Sequence, residues 1–291
     1  MTEMGDEVDR GVELLDAGEG RRLERFGPKV VDRPAPTALA WLGDRSAWSD
    51  ADLRFDPGEG WSGGGLEGSA VTPAPWPVDI AGLTMEVRPT ASGGLGLYPE
   101  HVANLAWLEA RIGERPGAGT GDQRPAVLNL FAHTGLVTLA AARAGAEVAH
   151  VDGARSAIAW ARRNAELSGL ADRRVRWLVD DAAAFVAREA RRGRRYDGIV
   201  LDPPSFGHAK GRRWRLEDEL PGLLTACARI LAVDGFALLT AHTTGMDGTV
   251  LADEARAAFS SSEKVSAASV ELTARTGARL ELGWAVRIGA G

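Results

Sequence analysis

Asp202-Pro203-Pro204-Ser205-Phe206 follows the apolar run Gly198 to Leu201. A short, unbroken apolar run reads as a fully buried strand. Proline has no N–H for a sheet ladder, so Pro203 and Pro204 force the chain off the sheet directly after Asp202. The result is a rigid corner carrying a carboxylate and, close behind it, an aromatic ring. In open α/β sheets, ligands bind beyond the carboxyl ends of the strands, where this corner falls. Asp202 and the Pro203 and Pro204 carbonyls could accept hydrogen bonds from an exocyclic amine, and Phe206 could stack on a base. Asp202, Pro203, Pro204 and Phe206 are therefore the candidate catalytic group. Alone, such a corner is only a strand stop followed by a stiff loop.

It is not alone. Asp152, then Asp180 with Asp181, also stand where apolar strand-like runs end. The first strand-to-helix turn, Asn129-Leu130-Phe131-Ala132-His133-Thr134-Gly135, has a single glycine where a dinucleotide fingerprint has three. Those glycines let the backbone approach a pyrophosphate at a helix N-terminus. A cofactor without phosphates does not need them. Asp152 has the spacing expected of a carboxylate on a ribose diol. The plainer use of each acid is a helix N-cap, and Asp181 is most open to that reading. Taken together, Asn129, Phe131, Ala132, His133, Thr134, Gly135, Asp152, Asp180 and Asp181 read as an adenosine-binding edge.

The elements that must hold these residues alternate. Strands are expected at Ala126–Phe131, Glu147–Asp152, Arg174–Val179, Tyr196–Asp202 and Gly235–His242. Helices are expected at Thr134–Ala144, Ala154–Ser168, Asp181–Arg192 and Leu216–Leu231. Such alternation means right-handed βαβ units and a parallel sheet. After a helix near Thr249 to Phe259, Val265–Leu272 and Ala278–Ile288 read as strands joined by a short, hence antiparallel, connection. A Rossmann-like, mostly parallel seven-stranded sheet ending in an antiparallel hairpin resembles class I S-adenosylmethionine (SAM) methyltransferases. Ahead of it, short apolar runs between Gly, Pro and Trp (Trp61-Ser62-Gly63-Gly64-Gly65 among them) exclude long helices. The expected division is a small β-rich domain over 1–89 and a methyltransferase domain over 90–291.

The motifs resemble those of the bacterial large-subunit (23S) rRNA methyltransferases. Asn129 to Gly135 is similar to that family's first motif and Asp202 to Phe206 to its fourth. Leu23-Glu24-Arg25-Phe26-Gly27 and Gly96-Leu97-Tyr98-Pro99-Glu100-His101 look like its N-terminal segments. The resemblance implies SAM as cofactor, contacts from the first motif, Asp152 and Asp181, and an approach by Tyr98 and His101. The best-known members methylate cytosine C5 through a cysteine thiolate placed just after the fifth strand. Here Thr243 stands near that position. The lone Cys227 falls on an apolar helical stripe with Leu223, Leu224, Ile230 and Leu231, where cysteine is usually a small buried hydrophobe. C5 chemistry is thus not expected, whereas transfer to a nitrogen or hydroxyl needs no covalent enzyme intermediate.

Composition sets the remaining bounds. The chain has 291 residues, one cysteine and a net charge of −6. A single cysteine forms no internal disulfide and removes any Cys-rich zinc site, so no metal is expected. No apolar stretch has membrane-spanning length and the first residues are unlike a signal peptide, so a cytoplasmic protein is expected. The acidic balance argues mildly against nucleic acid, but arginines cluster. Arg188 to Arg195 reads as a solvated face. Lys210, Arg212, Arg213 and Arg215 lie beside the Asp-Pro-Pro corner and read as substrate-binding, toward phosphates. The expected function is a SAM-dependent methyltransferase acting on RNA, ribosomal RNA foremost, at a nitrogen or hydroxyl. The alternatives are a small-molecule or protein methyltransferase, or a non-catalytic SAM-fold binding protein.

Overall fold

The computed structural model describes residues 10–40, 45–64, 73–117, 123–209, 212–243, 246–259 and 265–289. The chain divides into two compact units. One comprises residues up to Val102 together with Glu271–Leu282. The other comprises Ala103–Val270 and the residues from Gly283 onward.

The first unit is built on a five-stranded sheet in the order β1 (Val12–Gly18), β2 (Arg21–Phe26), β3 (Lys29–Pro34), β4 (Leu53–Asp56), β5 (Gly60–Gly63), with a one-turn helix α1 at Arg45–Ser49. Glu19 and Gly20 make the tight β1–β2 turn with positive φ. A separate hairpin, β6 (Trp76–Ile80) and β7 (Leu83–Val87), alternates buried and more open residues along β6, as a half-buried strand must. The Trp76 indole donates to the Phe26 carbonyl at 2.9 Å. Leu14, Ala17, Ala35 and Ala38 share a core cluster with Ala274 and Leu280 from the far end of the chain.

The second unit holds most of a seven-stranded sheet, with α2 (Val102–Gly113) leading into it, while the stretch Glu271–Leu282 of the last two strands counts with the first unit. The chain then runs β8 (Ala126–Leu130), α3 (Leu136–Arg143), β9 (Glu147–Asp152), α4 (Arg155–Leu167), β10 (Val175–Val179), α5 (Ala182–Arg191) and β11 (Tyr196–Leu201). A small hairpin, β12 (Phe206–Ala209) with β13 (Arg212–Arg215), precedes α6 (Leu216–Ala228), β14 (Leu231–Ala241), α7 (Gly248–Phe259), β15 (Val265–Thr273) and β16 (Arg279–Ile288). The sheet order is β10-β9-β8-β11-β14-β16-β15. All pairs from β10 to β14 are parallel, and β16 runs antiparallel to β14. The predicted fold class is therefore the observed one. In α5, Ala182, Phe185, Val186 and Glu189 are buried at helical spacing. Gly198 allows close packing in β11, since a Cβ there would lie 2.3 Å from the Phe236 ring.

Chain order reverses between β8 and β11, so their carboxyl ends bound the crevice where such sheets take ligands. One difference from the sequence reading lies beside it. Residues after the Asp-Pro-Pro corner form the β12–β13 hairpin, with Phe206 opposite Arg215 and Gly207 opposite Trp214, instead of a plain loop. Among the described residues, no helix is long and apolar enough to cross a membrane.

Candidate active site at the sheet's switch point

The turn after β8 is held in an unusual backbone. Phe131, His133 and Gly135 all have positive φ, at 56°, 47° and 94°. Such a conformation costs most residues energy and persists only where surroundings enforce it. Three bonds do so here. Ala132 N–H donates to the Val151 carbonyl at 3.1 Å, His133 N–H to Asp152 Oδ2 at 2.9 Å, and Gly135 N–H to the Ala132 carbonyl at 3.1 Å. Gly135 is required twice over. Its φ suits glycine, and a Cβ would press on Ala161 Cβ at 3.1 Å. Thr134 is buried, and its carbonyl accepts from Asn164 Nδ2 at 2.8 Å.

Asp152 ends β9 beside this turn and is half-buried. Its Oδ1 also accepts from Ala154 N–H at 2.8 Å, so the carboxylate is fixed by one backbone bond on each oxygen. Asn129 points the other way, into the core. Its Nδ2 donates to Thr138 Oγ1 at 2.9 Å, which in turn lies 2.8 Å from His150 Nδ1. Burial lowers the His150 pKa to about 3, so the ring is neutral. Asn129 therefore braces the turn from behind. Asp181 caps α5, accepting from Ala184 N–H at 2.8 Å, and Asp180 forms an ion pair with Arg188.

At the corner, Asp202 stands at the end of β11 and Pro203 is buried. Asp202 Oδ1 accepts from the Thr240 hydroxyl at 2.6 Å and lies 3.2 Å from His242 Nε2. Sequence reasoning missed Thr240 and His242. Their place at the corner follows from the pairing of β11 with β14, in which Leu201 lies opposite Leu239, and that pairing is not written in either strand's own sequence. The Pro204 carbonyl accepts from the Trp214 indole at 2.7 Å, and the Trp214 ring sits 5.5 Å from Phe131. Trp214 thus joins the corner to the first turn. Phe206 is 69% exposed, with the Arg215 guanidinium 6.0 Å from its ring centre. Arg215 also reaches Glu217 at 3.5 Å and Asp218 at 3.9 Å. Lys210 lies outside the described residues, as do the side chains of Arg212 and Arg213.

Two further residues bear on the chemistry. Thr243 Oγ1 is 2.7 Å from Ser205 Oγ, a pair of hydroxyls. Cys227 is completely buried, and burial pushes its thiol pKa up. Tyr98 and His101 belong to the other unit. There Tyr98 is exposed, His101 is buried, and their rings meet edge-on at 6.1 Å.

A seven-stranded sheet of this order, with a fixed carboxylate at the end of its second strand, defines a class I methyltransferase fold. A family profile described as S-adenosylmethionine-dependent methyltransferase matches residues 98–263, and the chain belongs to that family. The SAM-dependent methyltransferase from Agrobacterium tumefaciens is 32% identical, covers 96% of this chain and 90% of that one, and superposes with a TM-score of 0.85. A SAM-dependent methyltransferase from Streptococcus mutans, at 16% identity, shares the fold with a TM-score of 0.74 over 98% of this chain and 76% of its own. Ribosomal RNA large subunit methyltransferase K of Neisseria meningitidis is 35% identical over 111 residues, 37% of this chain and 31% of that protein. The chain spans less than a third of the length of the curated relatives it matches.

SAM is the cofactor of this family, and the donor set fits it. A ribose diol donates two hydrogens, and Asp152 is an acceptor held still for them. The turn from Phe131 to Gly135 lays the main chain beside that carboxylate and has no triple-glycine cradle for a pyrophosphate.

Proposed function

We propose that this chain methylates RNA, with ribosomal RNA first in line, at a nitrogen or a hydroxyl. The observation that carries the choice of atom is at the position after the fifth parallel strand. A threonine stands there, hydrogen-bonded to Ser205, and the chain's one thiol is sealed in the core. Neither can add to a pyrimidine ring, as C5 methylation requires. The RNA reading draws on the names of the relatives and on the basic, aromatic hairpin beside the corner. The −6 net charge favours a small-molecule acceptor as the second reading.

SAM supplies a methyl group on a sulfonium. The protein's part is to bind, align and desolvate, and ordering two reactants contributes roughly 7–11 kcal/mol. In this proposal Asp152 takes the ribose, with the turn from Phe131 to Gly135 alongside. Asp180 and Asp181 line the same edge. Asp202 and the Pro203 carbonyl receive the acceptor's N–H or O–H, because the Pro204 carbonyl already serves Trp214. Phe206 stacks on the base, and Lys210, Arg212, Arg213 and Arg215 meet phosphates. A role for Tyr98 and His101 rests on the family resemblance alone. The proposal includes a cytoplasmic location and a functional boundary near residue 90. The deciding experiment offers labelled SAM with total RNA and, separately, with a small-molecule extract. Label entering RNA supports the reading, and label entering only the extract moves the second reading ahead. Nucleoside mass spectrometry of rRNA from a deletion strain then identifies the atom.

A further inference from the structure

We propose that the amino-terminal end of the parallel sheet, where Arg176, Arg191 and Arg194 gather, is a docking surface for the phosphodiester backbone of the RNA substrate. This rests on the RNA reading above and adds a contact remote from the Asp-Pro-Pro corner. By sequence alone, Arg188 to Arg195 read as a solvated face. The structure sorts those arginines into two groups.

The first group is engaged within the protein. Arg188 pairs with Asp180, Arg192 Nη1 lies 2.9 Å from Glu189 Oε1, and Arg195 donates to the Arg229 carbonyl. The second group is not. Arg191 and Arg194 are exposed, and among the described residues neither guanidinium has an ion-pair or hydrogen-bond partner. Arg176, the second residue of β10, is exposed and unpartnered in the same way.

The buried Glu189 shows that these cations share one place. Its carboxylate accepts from the Tyr196 hydroxyl at 2.8 Å and from Arg192 at 2.9 Å. Burial alone would raise the Glu189 pKa, but those two bonds and the charges of Arg176 and Arg192 hold it below its usual range. Burial and Glu189 raise the Tyr196 pKa, against the opposing charges of Arg176 and Arg194. Three segments, β10, the end of α5 and the turn before β11, thus bring guanidiniums to the same pair of side chains. Glu189 is the one acid between Arg188 and Arg195, and it is neutralised inside the protein. On the β10 side, the exposed Asp172 is followed directly by Arg173 and Arg174.

A last-turn cation meets the negative end of a helix dipole, which accounts for Arg191 at most. Arg194 lies beyond α5 and Arg176 lies on a strand, so neither serves the helix. What faces solvent is a focus of positive charge on a chain whose net charge is −6. A polyanion relieves the repulsion within such a focus and releases its own counterions on binding. Tyr196 opens β11 at the arginine end and Asp202 follows its other end. At about 3.3 Å per residue, the two ends of this strand lie roughly 20 Å apart. An RNA that touches both sites therefore spans about six nucleotides of a helix, at about 3.4 Å per phosphate along one strand.

The test uses large-subunit rRNA made by transcription in vitro and two triple variants. One carries Arg176→Ala, Arg191→Ala and Arg194→Ala, and the other carries lysine at the same three positions. Three single-strand phosphates contribute about −2 to the log–log slope of affinity against salt, so the alanine variant should lose that much slope and, at about 0.1 M salt, on the order of tenfold or more in affinity. Its KM for the RNA should rise, while calorimetry with S-adenosylhomocysteine matches the parent. The lysine variant keeps the charge and should keep the parental slope. If parent and alanine variant bind the transcript with equal slopes and affinities, the docking surface is wrong and the RNA reading stands. A lysine variant that loses slope like the alanine one would also overturn it, because charge would not be the cause. Should the alanine variant lose binding to phosphatidylglycerol vesicles and keep its RNA affinity, the patch belongs to a membrane surface instead. A parent that binds no RNA in low salt sinks this proposal and the RNA reading together.

Discussion

Asp152 is the residue on which cofactor binding is expected to turn. It accepts two backbone N–H groups and sits beside a turn with three positive-φ residues. Asp152→Ala removes a charge-assisted bond to the ribose, so SAM affinity should drop by about 1.5–3 kcal/mol in calorimetry. An unchanged affinity would put the adenosine elsewhere. Cys227 should behave in the opposite way. Because the thiol is sealed and its ionisation suppressed, native protein should resist iodoacetamide, and Cys227→Ala should leave methyl transfer nearly intact. At this scale the sequence was readable where a residue's job depends on its own strand. Asp152 and Asp202 could be found from the runs that precede them. His242 could not be found that way, because its place at the corner depends on which strand lies beside β14. Asn129 was assigned to the cofactor edge by its place in the motif. Strand alternation turns its side chain inward to Thr138, a distinction that motif position does not carry.

Among the elements, β8 to β11 and their helices were legible because apolar spacing changes period as the chain passes from strand to helix. The β12–β13 hairpin was not, since Arg212, Arg213 and Arg215 carry no apolar alternation. The hairpin's predicted role is testable by salt. Each phosphate neutralised contributes about −0.7 to the log–log slope for single-stranded RNA, so Arg212→Ala with Arg213→Ala should flatten the slope and spare SAM affinity. Identical slopes would remove the hairpin from the RNA contact. In β2 and β3, Glu24 holds two buried guanidiniums, Arg33 at 2.6 Å and Arg22 at 3.3 Å. Burial alone would raise the Glu24 pKa, but the two arginines outweigh it and hold the carboxyl below its usual range. Glu24→Gln leaves Arg33 without its carboxylate and Arg22 with only the field of Glu100, and urea unfolding should show a loss of about 3–5 kcal/mol.

For the whole molecule, pH offers a probe of the buried network behind the first turn. His150 titrates at about 3 in the folded protein because burial disfavours its charged form. An unfolded histidine titrates near 6.5, so below that pH the unfolded chain holds the extra proton. The stabilisation that neutral His150 permits is complete above 6.5 and is lost as pH falls toward 3. Its slope is at most about 1.4 kcal/mol per pH unit. Unfolding free energies measured across that window should be steeper in the parent than in His150→Phe.

The first unit draws its core from both ends of the chain. Leu14 and Ala17 cluster with Leu280, the Arg275 guanidinium grips both oxygens of Glu13, and Arg275 N–H donates to the Leu14 carbonyl. Leu280→Ala should accordingly cost about 2–5 kcal/mol. Synthesis turns this into a matter of timing. The ribosome completes β1 to β7 early, then must make all of residues 103–270 before Leu280 exists. At roughly 5–20 residues per second, that wait is on the order of ten to thirty seconds. Throughout it the nascent β1 lacks part of its apolar cover, and an emerging chain in that state is a natural client for a chaperone. Protease pulses on stalled ribosomes should find residues 10–40 labile until the codons for Glu271 to Leu282 have been read and their product has cleared the exit tunnel.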